Sequence, residues 1–274
     1  YTGGKGRVIP GADYKKPSFG ANLNFFFDFQ MNWMYWRYFM WNFAGRQNDI
    51  HSPVPGDKFY GNWECGIKPI DELRLGDQSN APDVLKHNKG KNHYYLLPLI
   101  LGILGLFFQF DKDKRGCWLT FLLFFMTGIA IVLYLNQSPY QVRERDYAYA
   151  GSFYAFAIWI GFAVVALFHW LGESLRSKYP AAFAGALTLA CLCVPALMAS
   201  ENWDDHDRSN RRTSVEMAKN YLNSVGPQGV LITHGDNDTF PLEHFPCLQV
   251  CSSCATLCNR PSCRFPIPVS HPDA

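Results

Sequence analysis

Apolar residues along the chain are gathered into long unbroken blocks, unlike the short alternations of a soluble fold. Four segments carry no Asp, Glu, Lys or Arg and approach the length of about 20 residues that spans hydrocarbon: Tyr94–Phe110, Cys117–Leu135, Ser152–Leu171 and Ala181–Ser200. Charge bounds them, with Lys91 before the first, Asp111 to Arg115 between the first two, and Arg143 to Asp146 before the third. Buried core helices of a soluble protein rarely repeat such lengths without charge. The pattern therefore predicts a mainly α fold, a polytopic transmembrane helix bundle over residues 94–200. Pro98 falls near the start of the first segment, where a missing backbone donor does least harm, while Pro195 is expected to kink or end the fourth.

Residues 22–44 differ. They are dense in Phe, Trp, Tyr and Met but include Asp28, Gln30, Asn32, Arg37 and Asn42. At 3.6 residues per turn Asn24, Asp28, Asn32, Tyr35 and Asn42 share a face, with Gln30 and Arg37 opposite. That polar load is costly in lipid, so an aromatic helix at the interface or across the bundle mouth is expected, with a fifth span as the alternative. Residues 1–21 are expected outside the membrane, and so are residues 45–93, which are polar, rich in turn formers and expected to have little regular structure. Past Ser200 a helix-like stretch from about Thr213 to Asn223, a strand-like Gly229–His234 and a glycine turn predict the start of a small α/β segment over 201–242.

The mean hydropathy of −0.11 conceals these blocks because polar stretches average against them. A net charge of +2, with no basic patch interleaved with aromatics, gives no reason to expect nucleic acid. Charge leaves the orientation open. One face would hold Lys86, Lys89, Lys91, Arg143, Arg145, Arg208, Arg211 and Arg212 beside long segments; the other, Lys112, Lys114, Arg115, Arg176 and Lys178 in two tight loops.

Three clusters could carry chemistry. Arg143-Glu144-Arg145-Asp146-Tyr147 lies between the second and third spans, where arginines oriented by carboxylates can hold a phosphate; a self-neutralising interfacial loop is the competing account. Asp236-Asn237-Asp238 could share a hard cation, although the same residues suit a tight turn. Asp204-Asp205-His206-Asp207 reads mainly as a solvated membrane exit. His169 is expected as a hydrogen-bonded histidine of the bundle. No nucleophile constellation, phosphate loop or dinucleotide fingerprint is present, and no metal site is expected.

Several strings occur together in a fixed order: Tyr35 to Asp49, which includes Arg46; Tyr134-Leu135-Asn136-Gln137 leading to Arg143–Tyr154; Asn202–Arg208; and Gly235–Leu242. Together they resemble a bacterial membrane family long catalogued as a domain of unknown function and related to protein O-mannosyltransferases. The resemblance implies a polytopic GT-C-type glycosyltransferase that takes a sugar, mannose in that family's relatives, from a polyprenyl-phosphate carrier to protein hydroxyls. It places the protein in the bacterial inner membrane with the large loops on the periplasmic side. It makes Arg143, Glu144, Arg145, Asp146 and Tyr147 candidate lipid-phosphate or substrate contacts, and Arg46, Asp49, Asp236 and Asp238 weaker ones. Membrane lipids, the donor lipid and an acceptor protein are the implied partners, and no cofactor is expected.

Two departures qualify the resemblance. The catalytic carboxylate of such enzymes usually follows the first span, so it is expected in a preceding N-terminal part, and this piece is expected to be inactive alone. Residues 243–274 turn abruptly rich in Cys, Pro and Ser; Cys247, Cys251, Cys254, Cys258 and Cys263 lack a paired metal-ligand spacing. A shifted reading frame or misjoined end is the favoured account, ahead of a metal site or disulfides. A non-catalytic membrane scaffold or transporter-like bundle remains the alternative function, although no internal repeat supports it.

Overall fold

The computed structural model describes residues 17–52, 56–139, 143–171, 178–225, 230–233, 239–242 and 256–259. The chain divides into two compact units, 1–206 and 207–274.

In the first unit the aromatic segment is helical from end to end: α1 (Phe19–Asn24), a π-helical stretch (Phe25–Trp36) and α2 (Arg37–Phe43). It supplies most of the core instead of lying on the surface. Phe29, Trp33, Tyr35, Tyr38 and Phe39 pack with Phe124, Val132, Tyr149, Phe156 and Trp159. Asn24, Asp28 and Asn32 are exposed while Gln30 and Arg37 are buried, so the two sides separate as the helical period predicts. Tyr35 does not follow it and is fully buried. The π-helical winding places more residues in each turn and rotates it away from the polar side.

Among the described residues three helices are long and apolar enough to cross a membrane: Lys114–Leu135, Asp146–Trp170 and Pro180–His206. The first is α6 (Lys114–Thr127) followed by α7 (Ile129–Leu135). They break at Gly128, where a Cβ would lie 2.5 Å from the Tyr35 hydroxyl and 2.6 Å from Ser152 Oγ. The second joins a 3-10 turn (Asp146–Tyr149) to α8 (Ala150–Trp170). The third, α9 (Pro180–His206), continues through Pro195, so of the two expected effects, a kink or an end, the proline does not end it. One lost amide is tolerated there, and the polar end beyond Ser200 is held from outside. Asn202 accepts from Asn92 Nδ2 at 2.9 Å, and Glu201 Oε2 accepts the His93 amide at 3.2 Å.

The four-span count is not reproduced, because the segment Tyr94–Phe110 forms a shorter helix, α5 (Leu97–Lys112), of 16 residues. At 1.5 Å per residue it is about 24 Å long, short of the hydrocarbon core. Its start is delayed because Tyr94 and Tyr95 belong to the polar loop. Their amides bond to Ala44 O and Cys65 O at 3.0 Å each, and Tyr95 and Leu96 are left-handed, at φ 52° and 60°. His169 is exposed and stacked on Phe108 at 5.5 Å.

Residues 45–93 have more order than their composition announces. Strands β1 (Gly45–Arg46) and β2 (Asn92–His93) pair antiparallel, and helices α3 (Lys68–Leu75) and α4 (Asp83–Lys86) lie between them. Side chains hold the backbone where periodicity does not. Asn48 Oδ1 accepts from the Gly61 amide at 2.8 Å, and the Asp71 carboxylate accepts from the Cys65 and Gly66 amides at 3.0 and 2.8 Å. Glu64 carries Lys91 and His93 at 3.2 and 3.1 Å.

The second unit contains a helix, α10 (Thr213–Ser224), and two parallel strands, β3 (Val230–Thr233) and β4 (Thr256–Asn259). The helix and β3 fall where a helix-like and a strand-like stretch were expected. The second strand lies inside the cysteine-rich region, where none was expected; the run Thr-Leu-Cys-Asn pairs from Val230↔Thr256 to Thr233↔Asn259.

Candidate functional site

A buried ion pair joins the aromatic helix to the loop that precedes α8. Arg37 opens α2 and is 3% exposed, a burial a guanidinium tolerates only when its donors are answered. Its Nε donates to Trp33 O at 2.9 Å and its Nη1 to Gly61 O at 2.9 Å. The remaining face meets Glu144, Nη2 to Oε2 at 2.7 Å and Nη1 to Oε1 at 3.3 Å. The rings of Trp33, Tyr38 and Trp41 surround the guanidinium, with centroids 4.1, 4.5 and 4.6 Å away, a favourable setting for a desolvated cation.

Glu144 is equally committed. The Tyr38 hydroxyl donates to Oε2, and His51 Nδ1 lies 2.9 Å from Oε1. Burial alone would push its carboxyl up, but hydrogen bonds from Arg37, the Arg37 charge, and hydrogen bonds from Tyr38 and His51 together hold it below the ordinary value. Tyr38 also accepts the Arg145 amide at 3.2 Å, so one hydroxyl fixes two consecutive residues of the loop.

Gly61 closes the cage at φ +60°, where a Cβ would stand 2.8 Å from Ile50 O and 3.1 Å from Arg37 Nη1. Gly61→Ala therefore combines left-handed strain of about 1–2 kcal/mol with displacement of the guanidinium. A melting temperature several degrees lower, measured on purified protein, is the expected outcome; an unchanged one contradicts this account.

The candidate residues fall into distinct places. Arg143 and Tyr147 are exposed, Glu144 points into the cage, and Arg145 and Asp146 are half-buried. Arg46 packs over the Trp41 ring at 4.2 Å and donates to Asn48 O at 3.0 Å, so it is near the cage. Asp49 is exposed and bonded to Asn88 at 2.8 Å, a structural link. Asp236 and Asp238 lie outside the described residues. No group of three or more metal-binding side chains occurs among the described residues.

Arg37 is the functional candidate that sequence reasoning missed. In the sequence it reads as a cost to membrane burial, and a carboxylate so distant along the chain leaves no local signal. Tyr38 and His51 escaped notice for the same reason.

Residues 214–244 match the family model described as TMEM260-associated domain 2. No curated protein and no solved structure matches the chain.

Proposed function

We propose that this chain is part of an integral membrane glycosyltransferase that moves a sugar, mannose by the resemblance of its motifs, from a polyprenyl-phosphate carrier to protein hydroxyls. The loop Arg143–Tyr147 is the seat of the donor's phosphate in this reading. One observation carries it. In sequence the loop balances two arginines against two carboxylates, but in the cage Glu144 is paired with Arg37 from the aromatic helix. Glu144 is spent on Arg37, and the exposed Arg143 lies just before a candidate span that begins at Asp146. A phosphate at the membrane edge is the anion such a place suits.

The match over residues 214–244 and the apolar helices are compatible with this reading. It also places the loop on the periplasmic side of a bacterial inner membrane, next to donor lipid and acceptor protein. Because a polyprenyl phosphate has no nucleotide to be gripped by a metal, no cofactor is invoked. Transfer requires a base to take the acceptor hydroxyl's proton. Glu144 is unsuited to that task, since both its oxygens are engaged.

Replacing Arg143 and Arg145 together by alanine in the full-length protein should reduce transfer from a labelled polyprenyl-phosphate sugar by about 10- to 100-fold, as loss of charge-assisted phosphate bonds does. Full transfer by a variant that keeps its melting temperature would remove the phosphate role. Absence of acceptor-dependent label with intact wild-type protein would favour a membrane scaffold instead.

A further inference from the structure

We propose that the buried amide of Gln137 binds a hydroxyl of the donor's sugar, with the Tyr149 hydroxyl as a second polar contact. The inference rests on the donor reading above and adds where the sugar is recognised. Gln137 follows α7 and is 7% exposed, yet among the described residues neither its Oε1 nor its Nε2 has a hydrogen-bond partner. Tyr149 is fully buried, and its hydroxyl is likewise unanswered. Sealed polar atoms of this kind cost about 1–3 kcal/mol each, so a residue serving packing alone would be better replaced by leucine.

The backbone at Gln137 is held by hydrogen bonds, while its side-chain amide has no partner among the described residues. Asn136 ends α7 in the left-handed conformation at φ 41°, and Gln30 Nε2 bridges its Oδ1 at 2.9 Å and the Gln137 carbonyl at 3.2 Å. A clamped main chain presenting an unpartnered amide is what a preorganised contact needs. The π-helical stretch links the two groups. Gln30 and Tyr35 both lie in it and both are buried. Gln30 holds Asn136 and Gln137, while the Tyr35 ring lies edge-on to Tyr149 at 5.3 Å.

The chemistry selects the ligand. A carboxamide offers both donor and acceptor, and a phenol does the same. A sugar hydroxyl answers both, whereas a phosphate only accepts and would leave Gln137 Oε1 unmet. Phosphate therefore suits the arginine loop, and hydroxyls suit Gln137.

The test compares binding of a polyprenyl-phosphate hexose and of sugar-free polyprenyl phosphate to full-length protein. Gln137→Leu should bind the sugar-bearing lipid about tenfold or more weakly, leave the sugar-free lipid unchanged, and melt at the same or a higher temperature. A variant that keeps the wild-type preference for the sugar-bearing lipid overturns this inference alone. Wild-type protein that binds neither lipid removes the donor reading, and this one with it. Should Gln137→Leu fail to fold, Gln137→Met and Tyr149→Phe carry the same expectation, and unchanged sugar preference in both is decisive against it.

Discussion

Replacing Arg37 by alanine should lower stability by about 3–5 kcal/mol, because it leaves the Glu144 carboxylate in a largely desolvated place without its cation. The variant also frees the Gly61 carbonyl and opens a gap among Trp33, Tyr38 and Trp41. Arg37→Lys keeps the charge but cannot span Trp33 O, Gly61 O and both Glu144 oxygens at once, and is expected between alanine and wild type. Thermal melting gives the magnitude, and amide exchange over residues 45–65 should rise with it. Equal melting temperatures for Arg37→Ala and wild type would mean the pair contributes nothing. The pH dependence has a definite sign. Glu144 has a lowered carboxyl value in the folded protein, so its contribution is complete above the ordinary carboxylate value and is lost as pH falls through the lowered one. Wild type should therefore lose more stability than Arg37→Ala on acidification in that range.

Gly105→Val should be comparably damaging for a steric reason. A Cβ at Gly105 would run into the Trp159 carbonyl and the Ala163 amide of α8, which are backbone atoms and cannot swing away. Gly102, one turn earlier, lies against the Phe156 ring. These two glycines let α5 and α8 approach closely, as small residues do between membrane helices. Overpacking of this kind costs about 1–3 kcal/mol, and valine adds a poor helix propensity. Gly161→Ala is the control. It has nothing within 4 Å of its Cβ position and should melt at or above the wild-type temperature. If both variants behaved alike, the close approach of α5 and α8 would be wrong.

The apolar helices were legible because long uncharged runs leave few alternatives to a span-length helix. Their limits were less so. Nothing in Tyr94-Tyr95-Leu96 reveals that backbone bonds to Ala44 and Cys65 assign these residues to the loop. The break at Gly128 also depends on where the Tyr35 hydroxyl lands. Residues 45–93 looked irregular because periodicity detects faces, whereas their order comes from single side chains such as Asn48 and Asp71 bonding particular amides. At the site, the motif around Glu144 was visible but its charge balance was not. Arg37 and Gln30 looked like penalties until their partners were known, because a buried polar group can be judged only with the atoms that answer it.

The distance along the chain between Arg37 and Glu144 bears on how the protein is made. The two are separated by 107 positions, and ribosomes add about 5–20 residues per second. For roughly 5–20 s the nascent aromatic helix therefore carries an arginine whose carboxylate has not yet been synthesised. During that interval Arg37 is more stable near water or lipid headgroups than in the core. Settling of the helix is thus tied to emergence of the loop before α8, so the cage completes late in biosynthesis and large parts of the bundle must be inserted before it can lock.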